Sequence, residues 1–375
     1  MNSRRLKLHN RIALQAAGTV NTGQEHAVSE VRVFPLREPD SRRRYTVLRL
    51  RTRSGIVGIG ECGPITAGDV ETARSALLGK PATAYQFLTT GTALDGAINM
   101  GLIDITARAC TAPVYRLLGG PTRVKARALA RLHGTDEAEL AQSLQRGMQD
   151  GYRAFQAPLP PVTGRNQGQA FDKAVRARMD TLRKAGGENV DFVLEGAARL
   201  TSGDAGSVAA SLERFHLLWF DEPCPVANLE TIRKIAEENV TPLGFGRDVK
   251  ESSVFQNLLR DGCVDILRPD LGSYGITRIR QAATLAETYY VAVAPNHEGG
   301  PIGTAAAIHL AATLPNFFIQ HVPRPITEAD RRMRQELVSQ PVEAVRDGFL
   351  SLPSGPGFGI ELNEAALEKY KENAA

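Results

Sequence analysis

The sequence predicts a β/α barrel preceded by a smaller α+β domain, and three observations predict it. Short apolar runs recur and end in charged or polar residues, as Leu217-Leu218-Trp219-Phe220 does at Asp221-Glu222-Pro223. Helix-like stretches separate most of these runs, the alternation of a parallel barrel whose chemistry gathers at the C-terminal rim of its strands. The chain has 375 residues, against roughly 250 for a bare barrel, so there is room for a second domain.

The runs that supply barrel strands follow in order. Val124 to Arg131 is the first and Gly151 to Gln156 the second. Asp191-Phe192-Val193-Leu194 arrives at Glu195, the Trp219 run at Asp221, and Pro242 to Gly246 at Arg247. Val264 to Arg268 leads to Asp270, Val291 to Pro295 to Asn296 and His297, and Phe317 to Gln320 to His321. Between them, Asp136 with Glu139 three residues on suits a helix N-terminus, and Ser253 with Gln256 suits another. A helix is expected over roughly Phe171 to Ala185. Ahead of the barrel, Tyr45 to Thr52 and Ile56 to Glu61 flank the turn Ser54-Gly55, an antiparallel pattern. Helices are expected near Asp69 to Leu78 and over Ala93 to Cys110. The extended, turn-rich tail from Gly348 to Leu362 is expected to return to this first domain. The expected division is an N-terminal arm over 1–28, a capping domain over 29–123, the barrel over 124–340 and the returning segment over 341–375.

Composition excludes several function classes. Hydrophobic residues make up 42% and charged residues 23%, the balance of a chain with a large buried core. A net charge of +4 with 6% aromatics lacks the basic face and stacking rings of a nucleic-acid binder. Cys62, Cys110, Cys224 and Cys263 form no CxxC pair, which argues against a structural zinc site or a disulfide framework. No apolar run reaches the roughly 18 residues of a bilayer span. The stretch from Met1 to Gln24 lacks a signal-peptide core, so a cytoplasmic location is the expectation.

Three separated groups of residues resemble the enolase superfamily, in its mandelate racemase and acid-sugar dehydratase branch. They are Ile98 to Ile105 with Pro113 to Gly120; Trp219-Phe220-Asp221-Glu222-Pro223 with Arg268-Pro269-Asp270 and Gly275-Ile276-Thr277; and Ala294 to Gly303 with Pro353 to Gly359. The resemblance implies a modified TIM barrel under an α+β capping domain built from the N-terminal part and the C-terminal tail. It also implies a symmetric homo-oligomer, a small carboxylate substrate and Mg2+ held by carboxylates at three consecutive strand ends. That metal stabilises the charge that develops when a base removes an α-proton.

The chain departs from this pattern at chemically decisive places. The metal-ligand positions are Glu195, Asp221 and Arg247, and an arginine has no lone pair and stays protonated. Arg247 stands either as an internal counter-ion in the place of the metal or as an ordinary structural ion pair. Asp248 would substitute as a ligand only where a bulge re-aimed the strand. The second-strand positions that carry lysines in relatives are Gln156 and Pro158, neither of which titrates near neutrality. Asp270 matches the aspartate that orients a catalytic histidine, and His297 is its expected partner, although relatives place the histidine where Asn296 stands. His321 takes the place of a glutamate that acts as an electrophilic acid. Gln156, Arg247 and Asn296 are expected to touch substrate, with specificity coming from the loops Glu38 to Arg44 and Ile65 to Val70.

Smaller signals have plainer readings. His309 lies in an apolar helix and is expected to pack there, and His133 follows the first strand with only a faint claim on substrate. Gly299-Gly300-Pro301 is either a plain loop or a phosphate-binding helix start. Two functions follow from the whole. One is a lyase that takes the α-proton of an acid sugar and eliminates water, a racemase being disfavoured because it needs a base on each face. The other is a degenerate, metal-free barrel that acts as a ligand-binding or assembly protein.

Overall fold

The computed structural model describes residues 25–227 and 229–372. The arm expected over 1–28 therefore lies outside the described residues up to residue 24. Strands β1 (Val28–Arg37), β2 (Arg44–Thr52) and β3 (Val57–Cys62) form an antiparallel sheet in that order. The helix Ala67–Leu77 starts a little earlier than expected, because Thr66 caps it in a reciprocal box with Asp69. The helix Asp95–Ala109 is buried along nearly its whole length against β3 and the barrel helix Leu271–Glu287.

The buried carboxylate of Asp104 ties the capping domain together. It accepts from the amides of Ile59 (3.1 Å) and Phe358 (2.8 Å) and from Arg108 Nε (3.1 Å). Sheet, helix and C-terminal segment thus meet on one side chain. The final helix, Glu364–Tyr370, lies beside β1, where Arg32 pairs with Glu364 and Glu368. Before that the tail pairs with the barrel, since β12 (Phe349–Ser351) runs antiparallel to the first barrel strand.

The barrel strands are β4 (Lys125–Arg131), β5 (Ala154–Pro158), β6 (Asp191–Glu195), β7 (Trp219–Asp221), β8 (Leu243–Phe245), β9 (Ile266–Leu267), β10 (Ala292–Val293) and β11 (Gln320–His321). Neighbours pair in parallel from β4 through to β10, and β11 pairs with β4. A bridge from Val293 to Phe317 closes the remaining gap. The helix Glu137–Gln149 is capped by Asp136, whose carboxylate accepts from Glu139 N. Ser253 is not a cap: the helix Ser252–Arg260 already contains it, and Glu251 stands at the cap position without a side-chain bond.

Strand periodicity builds the site floor. Leu129, Ala154, Val193, Trp219, Ile266, Ala294 and Ile319 form one apolar cluster inside the ring. Successive side chains alternate between faces, so a residue two further on faces the same way. Those residues are Arg131, Gln156, Glu195, Asp221, Arg268, Asn296 and His321. A dry plug therefore sits under a polar ring. On β8 the plug needs no side chain, because a Cβ on Gly244 would lie 2.4 Å from the Trp219 ring.

Capping domain and barrel are locked by a buried ion cluster. Arg334 donates to Glu38 Oε1 at 2.6 Å and to Glu343 at 2.5 and 2.7 Å. Glu38 also takes Arg43, so the loop from Glu38 to Arg44 is pinned to the barrel. No helix among the described residues is long and apolar enough to cross a membrane.

Candidate active site at the barrel rim

Asp221, at the end of β7, is the most enclosed acid of the polar ring. Its Oδ1 accepts from Trp219 Nε1 (2.7 Å) and Arg268 Nε (2.8 Å), and its Oδ2 from Gln156 Nε2 (3.0 Å). Burial works against its charge. The Arg268 and Arg247 guanidiniums and these hydrogen bonds outweigh burial and hold the carboxyl below its ordinary range. Glu195, one strand away, accepts from Arg131 Nη2 at 2.8 Å and from Arg247 Nη1 at 2.7 Å. The same Arg247 Nη1 stands 3.8 Å from Asp221 Oδ2.

Arg247 reaches this place through a bend. Strict alternation after Gly244 would carry residue 247 to the outer face. Gly246 takes φ +130°, a conformation that suits glycine, and turns the chain inward. The bend is held by Glu222, whose Oε1 accepts from the amides of Gly246 (2.6 Å) and Arg247 (2.8 Å). Burial and the neighbouring Asp221 charge raise the Glu222 carboxyl above its ordinary value.

The donor set does not fit magnesium, which wants near-octahedral oxygen coordination. Only two of the three matched positions carry oxygen ligands, and a guanidinium bonded to one of them occupies the third. Asp248 lines the cavity wall. Even so, among the described residues no three His, Cys, Asp or Glu side chains are placed to hold a metal ion.

The expected Asp270–His297 dyad is not formed. Asp270 accepts from Asn296 Nδ2 at 3.1 Å and from Ser273 N at 2.9 Å. Burial, partly opposed by those bonds, raises its carboxyl. Asn296 follows the interior Ala294 by two and faces in, whereas His297 follows by three and faces away. The His297 ring donates from Nε2 to Gly300 O (3.0 Å) and lies 4.0 Å from Glu61 of β3. Burial lowers it to about 4.

His321 is brought to the ring, but as a closed and neutral group. Its Nδ1 donates to His297 O at 2.7 Å, leaving Nε2 buried without a partner. Burial and the charges of Arg131, Arg268 and Arg247 hold it far below the ordinary histidine range. It is poorly suited to the expected proton donation.

The minor signals resolve as well. His309 packs between Tyr115 and Phe358 and accepts from Tyr115 N at 3.2 Å. Burial, with Arg324 and Arg43 adding to it, lowers His133 to about 4. The Gly300 amide donates to Glu61 Oε1 at 2.5 Å, so a carboxylate of the capping sheet already takes the amide that a phosphate would need, in keeping with the plain-loop reading.

A cavity of about 320 Å3 opens above the ring, lined by Arg131, Glu195, Arg247, Asp248, Asp270, Ser273, Asn296 and Glu298. Arg131 and Arg268 were absent from the residues expected at the site, as were Glu222 and Glu298. The first two follow interior apolar residues by two, the signal that would have found them.

Residues 36–119 match the mandelate racemase/muconate lactonizing enzyme N-terminal domain, and residues 139–366 match the enolase C-terminal domain-like family. The chain belongs to the enolase superfamily. Within its mandelate racemase/muconate lactonizing enzyme family, similar proteins include D-xylonate dehydratase of Haloferax volcanii, 26% identical, with 87% of this chain and 85% of that protein covered. D-galactonate dehydratase of Ralstonia pickettii is 29% identical, with 88% and 92% covered. Among solved structures, an enolase from Agrobacterium radiobacter bound to Na and L-malate superposes with a TM-score of 0.82 at 25% identity, covering 93% of this chain and 96% of that one. A mandelate racemase/muconate lactonizing enzyme-like protein from Rubrobacter xylanophilus gives a TM-score of 0.82 at 24% identity, covering 93% and 98%, and speaks for the enolase fold alone.

Proposed function

We propose that this chain binds a small polyhydroxy ligand of the acid-sugar kind at the barrel rim without magnesium, and does not carry out metal-assisted α-proton abstraction. One observation carries the reading: Arg247 Nη1 lies 2.7 Å from Glu195 Oε1 and 3.8 Å from Asp221 Oδ2, between the two carboxylates that match metal ligands. A fixed guanidinium there is an internal counter-ion. It neutralises the acids and repels a divalent cation.

Binding is supported by what the ring leaves open. Among the residues that line the rim cavity, Asn296 Oδ1 and Arg131 Nε are buried and have no hydrogen-bond partner. A buried polar atom left unpaired costs about 1–3 kcal/mol, so a ligand that satisfies these atoms gains that energy back. An acceptor beside a donor is a match for hydroxyl groups, which the sugar acids named in the relatives carry along their chains.

Similarity to dehydratases along most of the chain favours a second reading, a lyase. That chemistry needs a base at the α-carbon and a cation free to take up the developing charge. Here His297 is turned onto Gly300 O, and Arg131 and Arg247 are already engaged by carboxylates. The two readings separate in deuterated water. With D-galactonate and magnesium present, proton NMR should show no α-proton wash-out and no keto-acid product. Exchange above the buffer blank that disappears in His297→Asn would establish the lyase instead.

A further inference from the structure

The rim cavity has no cation to spare for an incoming anion. Arg131 is taken by Glu195 and Glu298, Arg247 by Glu195 and Asp221, and Arg268 by Asp221. An entering carboxylate at the metal position would have to displace Asp221 or Glu195, both buried, and leave it without its ion pair, which is strongly unfavourable there, and at Arg131 it would compete with half-exposed Glu298. The metal position, with Arg247 between Glu195 and Asp221, is therefore closed to a carboxylate here.

Free positive charge lies next door. A cavity of about 460 Å3 opens between turns of the capping domain, at Gly63–Pro64 and Thr89–Asp95, and the barrel residues Lys250, Ser273 and Arg278. Ser273 lines this cavity and the rim cavity alike, so the two adjoin at that residue. Lys250 and Arg278 are exposed, and neither has an ion-pair partner among the described residues; Arg278 only overlies the Tyr274 ring at 5.8 Å. The acid in this lining, Asp95, has both oxygens occupied by Thr89, Thr90 and Gly91 at 2.6–3.0 Å.

We infer that the ligand lies reversed: its carboxylate or phosphate end sits between Lys250 and Arg278 in the second cavity, and its hydroxylated chain passes Ser273 into the rim. This rests on the metal-free binding reading above. Two unpaired cations attract an anion without displacing anything, and the capping-domain turns close over that end. The rim then receives only hydroxyls, which suit its unpaired Asn296 Oδ1 acceptor and Arg131 Nε donor.

Calorimetric titration with three probes tests this: D-galactonate for a carboxylate end, sorbitol 6-phosphate for a phosphate end, and galactitol as the neutral chain. One charged probe should bind the intact chain at least about tenfold more tightly than galactitol, and its affinity should fall with added salt. The stronger of the two identifies the anion. In Lys250→Ala/Arg278→Ala that probe should drop to the affinity of galactitol. Charged probes no tighter than galactitol, or a charged probe unaffected by the double substitution, would overturn the reversed orientation while leaving rim binding in place. Galactitol that fails to bind, or binds equally well to Asn296→Leu, would instead overturn the rim reading. Silence from all three probes removes both.

Discussion

Arg247→Glu is expected to make the melting of this chain depend on magnesium. The strand ends of β6, β7 and β8 would then present three carboxylates, and the formal charge at positions 195, 221 and 247 would change from −1 to −3. Without metal the variant should melt below the parent, since three acids crowd one another and Glu195 loses its 2.7 Å partner. With magnesium at a hundredfold excess over its dissociation constant, binding should return about 2.7 kcal/mol. The parent should show no magnesium response. A variant that melts identically with and without the ion, even after Arg131→Ala frees Glu195 further, would mean that the strand ends no longer converge on a metal position.

The second large effect concerns Arg268, which has no exposed surface. It donates to Asp221 at 2.8 and 3.4 Å and to Ala294 O at 2.6 Å, and lies over the Trp219 ring at 5.1 Å. Removing one member of a buried ion pair leaves an uncompensated charge, at a cost of about 3–5 kcal/mol, whereas replacing both by apolar groups of similar volume is often near neutral. Arg268→Ala should therefore lose about that much in urea denaturation. Asp221→Leu/Arg268→Met should lose far less, a non-additivity expected of groups in contact. An Arg268→Ala variant within about 1 kcal/mol of the parent would show that Gln156, Trp219 and Arg247 are sufficient partners for Asp221.

How much was legible in the sequence depended on whether a side chain's direction followed from strand period alone. Glu195 and Asp221 end apolar runs on regular strands, and both point where alternation sends them. Arg131 and Arg268 obey the same rule but do not announce themselves, because an arginine at a strand end usually reads as surface. His297 was misdirected for the same reason in reverse. It stands one residue beyond Asn296, and one residue at a strand end exchanges inside for outside. Arg247 is the opposite case. Alternation alone would send it outward, and the inward turn depends on the φ of Gly246 and the grip of Glu222 on two amides. No local pattern in the sequence announces that grip. In the loop from Glu38 to Arg44, Glu38 is engaged by Arg334 and Arg43, and Arg44 by Glu372 near the end of the chain. Long-range pairing of this kind has no signature in a single chain read from end to end.

The account stands on the guanidinium that closes the metal position, and a manganese titration of the unaltered chain followed by electron paramagnetic resonance reads that position directly. The free-ion signal should persist undiminished as protein is added, with no site tighter than about a millimolar dissociation constant. Stoichiometric loss of that signal, abolished by Glu195→Gln, would show an ion seated between Glu195 and Asp221 with Arg247 displaced, and the account would be wrong.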